Sequence, residues 1–142
     1  MKIGIINGAN LNALGTREPK VYGKFSLLEI ENKLKAEFSS DELSFFQSNL
    51  EGELVSQIQD WSDQMDALVI NAGGYTHTSV VIADAIAACS LPVIEVHMSN
   101  VFARENFRHI SLLGAHCSAS ISGMGWESYV LGIQAAERLL RK

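Results

Sequence analysis

The chain has 142 residues, of which 47% are hydrophobic, so it is long enough to bury one core and short for two domains. Its 11 basic and 16 acidic residues give a formal charge of -5, which argues against a nucleic-acid partner bound through a broad phosphate-contacting face. We therefore expect one domain over residues 1–142 that binds no nucleic acid and holds any anion locally.

The first predicted element is a strand in "KIGII", which ends at Asn7-Gly8. This N-terminal stretch lacks the long apolar region of a secretory signal, and no apolar run approaches the roughly 20 residues that cross a bilayer. We expect a cytoplasmic protein with no membrane partner. A polar stretch punctuated by glycine then runs through Gly23, and its composition predicts a loop rather than a helix or strand.

The rest of the chain alternates between helices and strands. A helix is predicted from Ser26, because Ser26 and Glu29 have the spacing of a capping box and the apolar residues that follow repeat with a helical period. The further strands are "LSFFQSN", "DALVIN", "PVIEVH" and "HCSASIS", and the further helices are "EGELVSQIQDW", "TSVVIADAIAACS" and "WESYVLGIQAAERLLRK". This order predicts an α/β fold, a flavodoxin-like three-layer sandwich with a five-stranded parallel sheet.

The two cysteines, Cys89 and Cys117, lie in apolar surroundings without C-x-x-C spacing. This arrangement predicts buried free thiols rather than a disulfide framework or a metal site.

Polar segments follow three of the predicted strands, after Asn7, after Asn71 and within "EVHMSN". In parallel sheets, ligands bind outside the carboxyl ends of the strands, near the point where the strand order reverses. Any one of these segments alone is better explained as a turn. Three of them at one edge of the sheet favour a functional site.

The segment "EVHMS" places Glu95, His97 and Ser99 on one face of a strand, because side chains alternate along a strand. A buried histidine is more often only hydrogen-bonded than catalytic. Here, however, the Glu95 carboxylate lies two residues away on the same side and can fix the tautomer of His97. A histidine oriented in this way suits general acid catalysis.

Arg17 and Tyr22 share the first long loop, where a tyrosine is by default a surface anchor. Catalysis as a base would need the ionised phenol, which costs roughly 4 kcal/mol at neutral pH. One nearby cation offsets only part of that cost. Arg104 or Arg108 is a candidate second cation, and the sequence leaves open whether these arginines instead bind an anionic substrate or form surface pairs.

In "NAGGYTHTS", the two glycines allow the backbone to approach a ligand closely. Thr78 or Ser79 can cap the following helix and leave amide donors at its N-terminus. His77 either binds a hydroxyl group or only stabilises this loop, and the sequence does not choose between these roles.

The segments "INGANLNALGTREPKVYG", "NAGGYTHTSVVIADAI" and "IEVHMSNVFARENFRHISLLGAHCSASISGMG" closely resemble type II 3-dehydroquinate dehydratase. The resemblance implies a single catalytic domain, a hydro-lyase of the shikimate pathway that leads to chorismate and the aromatic amino acids. It implies anti elimination of water from 3-dehydroquinate through an enolate, giving 3-dehydroshikimate. It also implies no cofactor, no metal and a homododecamer built from trimers.

The resemblance also assigns roles to the candidate catalytic residues. Tyr22 is implied as the base, Arg17 favours its ionised form, and Asn10 holds a water that stabilises the enolate. His97, oriented by Glu95, is implied as the acid that protonates the departing hydroxyl. The implied substrate-binding residues are Asn71 at that hydroxyl, Ser99 and the Met98 amide at the carboxylate, His77 and Arg108 at the ring hydroxyls, Arg104 on a closing loop, and Asp84 from a neighbouring subunit.

Four positions depart from the commonest family pattern, and they are Ala9, Ala88, Phe102 and Ser128. None of them removes a proposed acid, base or carboxylate ligand. We therefore expect the activity to be kept, with any effect of Ala9 falling on the first loop and any effect of Ala88 on subunit contacts.

Two other classes of function fit the predicted fold. A flavin- or nucleotide-binding module would use the loop after the first strand, but no G-x-G-x-x-G or P-loop glycine spacing occurs there. A phosphoacceptor receiver domain would need clustered acidic residues at the strand ends, where this chain has asparagine. The hydro-lyase is the leading hypothesis.

Overall fold

A computed structural model gives the fold of the chain and describes residues 1–16 and 18–142. The strands are β1 Lys2–Asn7, β2 Glu42–Gln47, β3 Ala67–Asn71, β4 Val93–His97 and β5 Ala119–Ser122. The helices are α1 Pro19–Tyr22, α2 Leu27–Glu37, α3 Glu51–Trp61, α4 Val80–Ala88 and α5 Glu127–Leu140. All strand pairs are parallel, and the five-stranded sheet has the order β2-β1-β3-β4-β5.

Helices cover both faces of this sheet. On one face, apolar side chains of α2 and α5 pack against alternate residues of β1, β3 and β4, among them Ile5, Val69 and Val96. On the other face, α3 and α4 pack against the intervening residues, among them Ile6 and Ile70. The predicted flavodoxin-like three-layer sandwich is therefore confirmed, and the burial of β3 on both faces explains the unbroken apolar run that precedes Asn71.

The predicted helix caps also form. The Ser26 side chain accepts a hydrogen bond from the Glu29 backbone, and the Glu29 carboxylate accepts one from the Ser26 backbone, which completes the capping box of α2. At α4 the capping residue is Ser79, whose hydroxyl accepts a hydrogen bond from the Ile82 amide. Local sequence therefore determines where both helices begin.

Three sequence-based expectations were wrong in part. The stretch before Gly23 is not all loop, because Pro19 starts the short helix α1 and Gly23 ends it with a φ of 80°. Strand β5 begins only at Ala119, since residues Gly114–His116 form a 3-10 turn. Cys89 and Cys117 are free thiols as predicted, but they are half-buried rather than buried.

The strand order reverses between β1 and β3, because β2 and β3 flank β1 on opposite sides. The carboxyl ends of β1, β3 and β4 therefore open on one edge of the sheet, where a ligand site is expected in this class of fold. None of the helices in the part of the chain that the structure describes is long and apolar enough to cross a membrane.

Candidate active site

A pocket lies at this edge of the sheet and collects residues from all three polar segments. Its lining comprises Ala9, Asn10, Leu11, Leu14, Tyr22, Asn71, Gly73, Gly74, His77, His97, Met98, Ser99, Val101, Arg104 and Arg108. Most of the predicted site residues thus meet in one place. Glu95 lies behind His97, Asp84 is exposed on α4, and Arg17 lies outside the described residues. The chemical role of each residue remains a prediction.

The loops after β1 and β3 pack directly against each other beside the pocket. The Gly8 amide donates a hydrogen bond to the Asn71 carbonyl at 2.7 Å, which extends the pairing of the two strands. A side chain at Gly8 would place its Cβ 2.2 Å from the Ala72 carbonyl oxygen. Gly73 has a φ of +62°, and a Cβ there would lie 2.7 Å from the Ala9 carbonyl oxygen. Only glycine permits this close packing at both positions.

A buried hydrogen-bonded network holds Asn71, a residue of the pocket lining, in place. The Tyr129 hydroxyl, from α5, donates to Asn7 Oδ1 at 2.6 Å and accepts a hydrogen bond from Asn71 Nδ2 at 2.9 Å. Asn71 Oδ1 accepts from the Gly73 amide at 3.2 Å, so the Asn71 carboxamide can adopt only one orientation. Burial raises the pKa of the Tyr129 phenol, which therefore stays protonated and keeps donating.

At the end of β4, Glu95 and His97 form a buried pair. Glu95 Oε1 lies 2.5 Å from His97 Nε2, and the two residues are 1% and 7% exposed. Because the carboxylate engages Nε2, Nδ1 is the ring nitrogen that remains for a ligand. Ile94, Val96 and Met98 point to the opposite, apolar face of the sheet. The alternation predicted from "EVHMS" is thus confirmed through His97, where the strand ends; Ser99 follows it and also lines the pocket.

His77 lies next to His97 in the pocket lining. Its Nδ1 is 2.7 Å from the Ile110 carbonyl oxygen, and a carbonyl only accepts, so Nδ1 carries the proton. A neutral His77 therefore has its lone pair on Nε2. The rings of His77 and His97 are nearly parallel, with centroids 6.4 Å apart. This histidine thus connects its loop to Ile110 and also belongs to the pocket lining.

Tyr22 is held in the pocket by an arginine that is distant in sequence. Arg104 Nη1 donates to the Tyr22 hydroxyl oxygen at 2.9 Å and to Ser99 Oγ at 3.3 Å. The Arg104 guanidinium also lies 5.3 Å from the Tyr22 ring centroid. Of the two arginines left open by the sequence, Arg104 is the one bonded to Tyr22. Arg108 instead pairs with Glu105 at 2.8 Å while still lining the pocket.

The pocket carries cationic groups although the chain is acidic overall. Arg104 and Arg108 approach it, and their side chains are 16% and 18% exposed. Glu105 lies beside both, at 3.8 Å from Arg104 and 2.8 Å from Arg108. A backbone hydrogen bond and the one from Arg108 lower the pKa of Glu105, so it stays anionic and neutralises part of this charge. The arrangement suits one small anion, consistent with the expected local anion site.

The positions of the potential metal-binding side chains do not indicate a metal site among the described residues. Within residues 1–16 and 18–142, no group of three or more His, Cys, Asp and Glu side chains is placed to hold a metal ion. The absence of a cofactor stays a prediction from the resemblance.

Sequence reasoning missed two classes of residue at this site. Leu11, Leu14 and Val101 form apolar parts of the lining, and nothing in their local pattern distinguishes them from ordinary loop or core residues. Tyr129 and Ser111 bond to Asn71 and Glu95 from outside the three polar segments. Their sequence distances of 58 and 16 residues explain why no spacing argument found them.

Comparisons of the sequence and of the structure with known proteins all find dehydroquinases. A family model described as dehydroquinase class II matches residues 1–137. A 3-dehydroquinate dehydratase of Campylobacter jejuni (strain 81-176) is 52% identical over 135 residues, covering 94% of this chain and 85% of that protein. One from Nitratiruptor sp. is 46% identical and covers 100% of this chain and 92% of the relative. The crystal structure of a type II dehydroquinase from Butyrivibrio crossotus superposes with a TM-score of 0.94 at 42% identity, over 96% of this chain and 97% of that one.

Proposed function

The chain belongs to the class II dehydroquinase family, and on this basis we propose that it dehydrates 3-dehydroquinate to 3-dehydroshikimate and water in the shikimate pathway. The reaction removes a proton from the carbon beside a ketone and a hydroxide from the next carbon. It therefore needs a base, an acid and a means of holding the substrate carboxylate. The observation that carries the proposal is that Tyr22, Arg104 and His97 line the same pocket, with Arg104 bonded to Tyr22 and Glu95 bonded to His97 from behind.

The base is Tyr22. Its oxygen, in the ionised phenolate form, takes the proton from carbon, and the electrons of the broken C–H bond form the enolate. The Arg104 hydrogen bond to this oxygen, at 2.9 Å, supports the role because a guanidinium donor stabilises negative charge on the oxygen that it contacts. Arg17 is proposed as a second cation from the resemblance alone. Asn10 lines the same pocket and is proposed to hold the water that stabilises the enolate oxygen.

The acid is His97. The enolate collapses to the enone, the C–O bond breaks, and the departing hydroxyl takes a proton from the ring nitrogen that Glu95 does not bind. Protonated His97 is stabilised by the Glu95 carboxylate, and this pair is buried, so the interaction is weakly screened. Afterwards Tyr22 is a neutral phenol and His97 a neutral imidazole, so one proton must pass from Tyr22 to His97, directly or through solvent, before the next turnover.

The remaining pocket residues are proposed to bind the substrate. Ser99 and the Met98 amide hold its carboxylate, with the positive charge of Arg104 close to Ser99. Asn71, which lines the pocket, contacts the departing hydroxyl through its carboxamide, and the bonds to Tyr129 and Gly73 hold that group in one orientation. His77 and Arg108 bind the ring hydroxyls, and the lone pair on His77 Nε2 suits a hydroxyl donor.

A direct assay tests this function. Purified protein mixed with 3-dehydroquinate should produce the ultraviolet absorbance of the conjugated enone, and the product should co-elute with authentic 3-dehydroshikimate. Treatment with a chelator should leave the rate unchanged, since the proposed mechanism uses no metal. Folded protein that yields no enone from this substrate would refute the proposal.

We also propose that the chain assembles as a homododecamer of trimers in which Asp84 reaches the pocket of a neighbouring subunit. Val80 and Val81 support this, because they lie on the same helix as Asp84 and are 61% and 49% exposed. Burial of these side chains between subunits would remove apolar surface from water. Light scattering coupled to size-exclusion chromatography should give the mass of twelve chains, whereas a monomeric mass would contradict the assembly.

A further inference from the structure

Behind the Glu95–His97 pair lies a serine hydroxyl with a complete set of partners. Ser111 Oγ is 2.9 Å from Glu95 Oε2, the carboxylate oxygen that His97 does not contact. The same Oγ is 3.2 Å from the Leu113 amide and 2.9 Å from the Gly114 amide. Ser111 lies on the connection between β4 and β5 and does not line the pocket.

These contacts determine the direction of the hydrogen bond between Ser111 and Glu95. A hydroxyl has two lone pairs and one proton. Both backbone amides can only donate, so they occupy the two lone pairs of Ser111 Oγ. The single proton is left for the Glu95 carboxylate. Ser111 therefore donates to Glu95 Oε2, while Oε1 is left to His97.

The surrounding chain leaves the Glu95 carboxylate little freedom to move away from this arrangement. A Cβ on Gly114 would lie 3.1 Å from Glu95 Oε2, so the backbone closes against that oxygen. The next residue, Leu112, donates its amide to the Thr76 carbonyl at 2.9 Å, which ties the Ser111 segment to the loop that carries His77. Ser111 thus lies on a turn that is held by the hydrogen bond from Leu112 to Thr76 and by the contact of Gly114 with Glu95.

We infer that Ser111 is a positioning residue for the proposed acid His97, acting through Glu95. The hydroxyl holds the carboxylate in the rotamer that bonds His97 Nε2, and the two amides polarise that hydroxyl toward the carboxylate. The inference rests on the proposed function for its catalytic consequence. The structural claim that Ser111 holds the Glu95 carboxylate against His97 does not depend on the proposed function.

The test compares Ser111→Ala with a matched control, Ser48→Ala. The Ser48 hydroxyl also accepts from the amide two residues on, Leu50, and donates to a carboxylate, Glu53, but this cluster is not part of the pocket lining. Both variants lose the same kind of contact. We expect kcat to fall about tenfold to a hundredfold in Ser111→Ala with KM within about threefold, the range typical when the hydrogen-bonding partner of a site residue is removed. Ser48→Ala should keep both constants within about twofold.

A double-mutant cycle separates positioning from general damage. Ser111→Ala should cost little or no further activity in a Glu95→Ala background, because the serine acts only through that side chain and the alanine leaves it no acceptor. If Ser111→Ala lowered kcat by the same factor in the parent and in the Glu95 variant, or if Ser111→Ala kept the parent kcat, the inference would be overturned. If Ser111→Ala does not fold, Ser111→Cys keeps the size with a weaker donor and is judged by the same cycle.

An NMR readout separates this inference from the proposed function. In protein labelled with ¹⁵N-histidine, the Nε2 proton of His97 should give a downfield signal in the parent and in Ser48→Ala. The signal should shift or broaden in Ser111→Ala, and an unchanged signal would refute the positioning role. A parent protein that shows the signal but no dehydration would reject the proposed function and leave the Ser111 geometry standing.

Discussion

The two halves of the pocket are built differently. The proposed acid, His97, ends a buried strand, and its bonded partner is two residues away in sequence. The proposed base, Tyr22, ends a four-residue helix between positive-φ positions at Glu18 and Gly23, and it is half-buried. Arg104, which bonds Tyr22, lies 82 residues away. The position of the acid is therefore set by strand β4 and by Glu95 on the same strand, whereas the position of the base also depends on a contact with a residue distant in sequence.

The largest effect should come from the base half. Tyr22→Phe removes the oxygen that takes the proton while keeping the ring, so kcat should fall by about 10² to 10⁴ with the fold intact. Circular dichroism and steady-state kinetics measure the two properties. Tyr75→Phe is the control, since the Tyr75 hydroxyl bonds only the Asn49 carbonyl among the described contacts and should be dispensable for turnover. Turnover of Tyr22→Phe within a few-fold of the parent would reject Tyr22 as the base.

A smaller effect is expected in the buried hydrogen-bonded network of Asn7, Asn71 and Tyr129. Tyr129→Phe leaves the buried Asn7 Oδ1 and Asn71 Nδ2 without the hydroxyl between them. The free energy of unfolding should fall by about 1–3 kcal/mol, the cost of leaving buried polar groups unsatisfied. Urea denaturation should therefore show a lower midpoint for Tyr129→Phe than for Tyr75→Phe. Equal midpoints for these two variants would show that the network contributes no stability.

The smallest effect concerns a thiol behind the acid half. Burial raises the pKa of the Cys117 thiol from its ordinary 9.0 to about 12, and the negative charge of Glu95 adds to this. Iodoacetamide at pH 8 should therefore label Cys89 well before Cys117, as mass spectrometry of peptides would show. Rapid labelling of Cys117 in the folded protein would contradict the burial of this region.

The same thiol makes a small contribution to the pH dependence of stability. Between pH 9.0 and about 12 the unfolded thiol is ionised while the folded one keeps its proton. The folded state then binds more protons, so this contribution to the free energy of unfolding decreases as the pH rises. A Cys117→Ala variant should lack that part of the decrease, as urea denaturation at pH 8 and pH 10 would test.

The acid half was far more predictable from the sequence than the base half. Alternation along a strand places Glu95 and His97 together without knowledge of the fold, and the apolar runs predict the sheet that supports them. The contact of Arg104 with Tyr22 depends on how two connecting segments fold over the sheet edge, which no periodicity encodes. For the same reason Tyr129 and Ser111 emerge only from the structure. Helix α1 was missed because proline is found both in loops and at the first turn of helices, so Pro19 alone does not predict a helix.

Proton exchange in ²H₂O tests most directly whether the two halves act as separate base and acid. His97→Ala should still let Tyr22 remove the proton beside the ketone, so 3-dehydroquinate should gain deuterium there while little enone forms. Tyr22→Phe should show neither exchange nor elimination. NMR of the recovered substrate measures the exchange. Exchange in Tyr22→Phe as fast as in His97→Ala would contradict the assignment of Tyr22 as the base and with it the proposed division of the pocket.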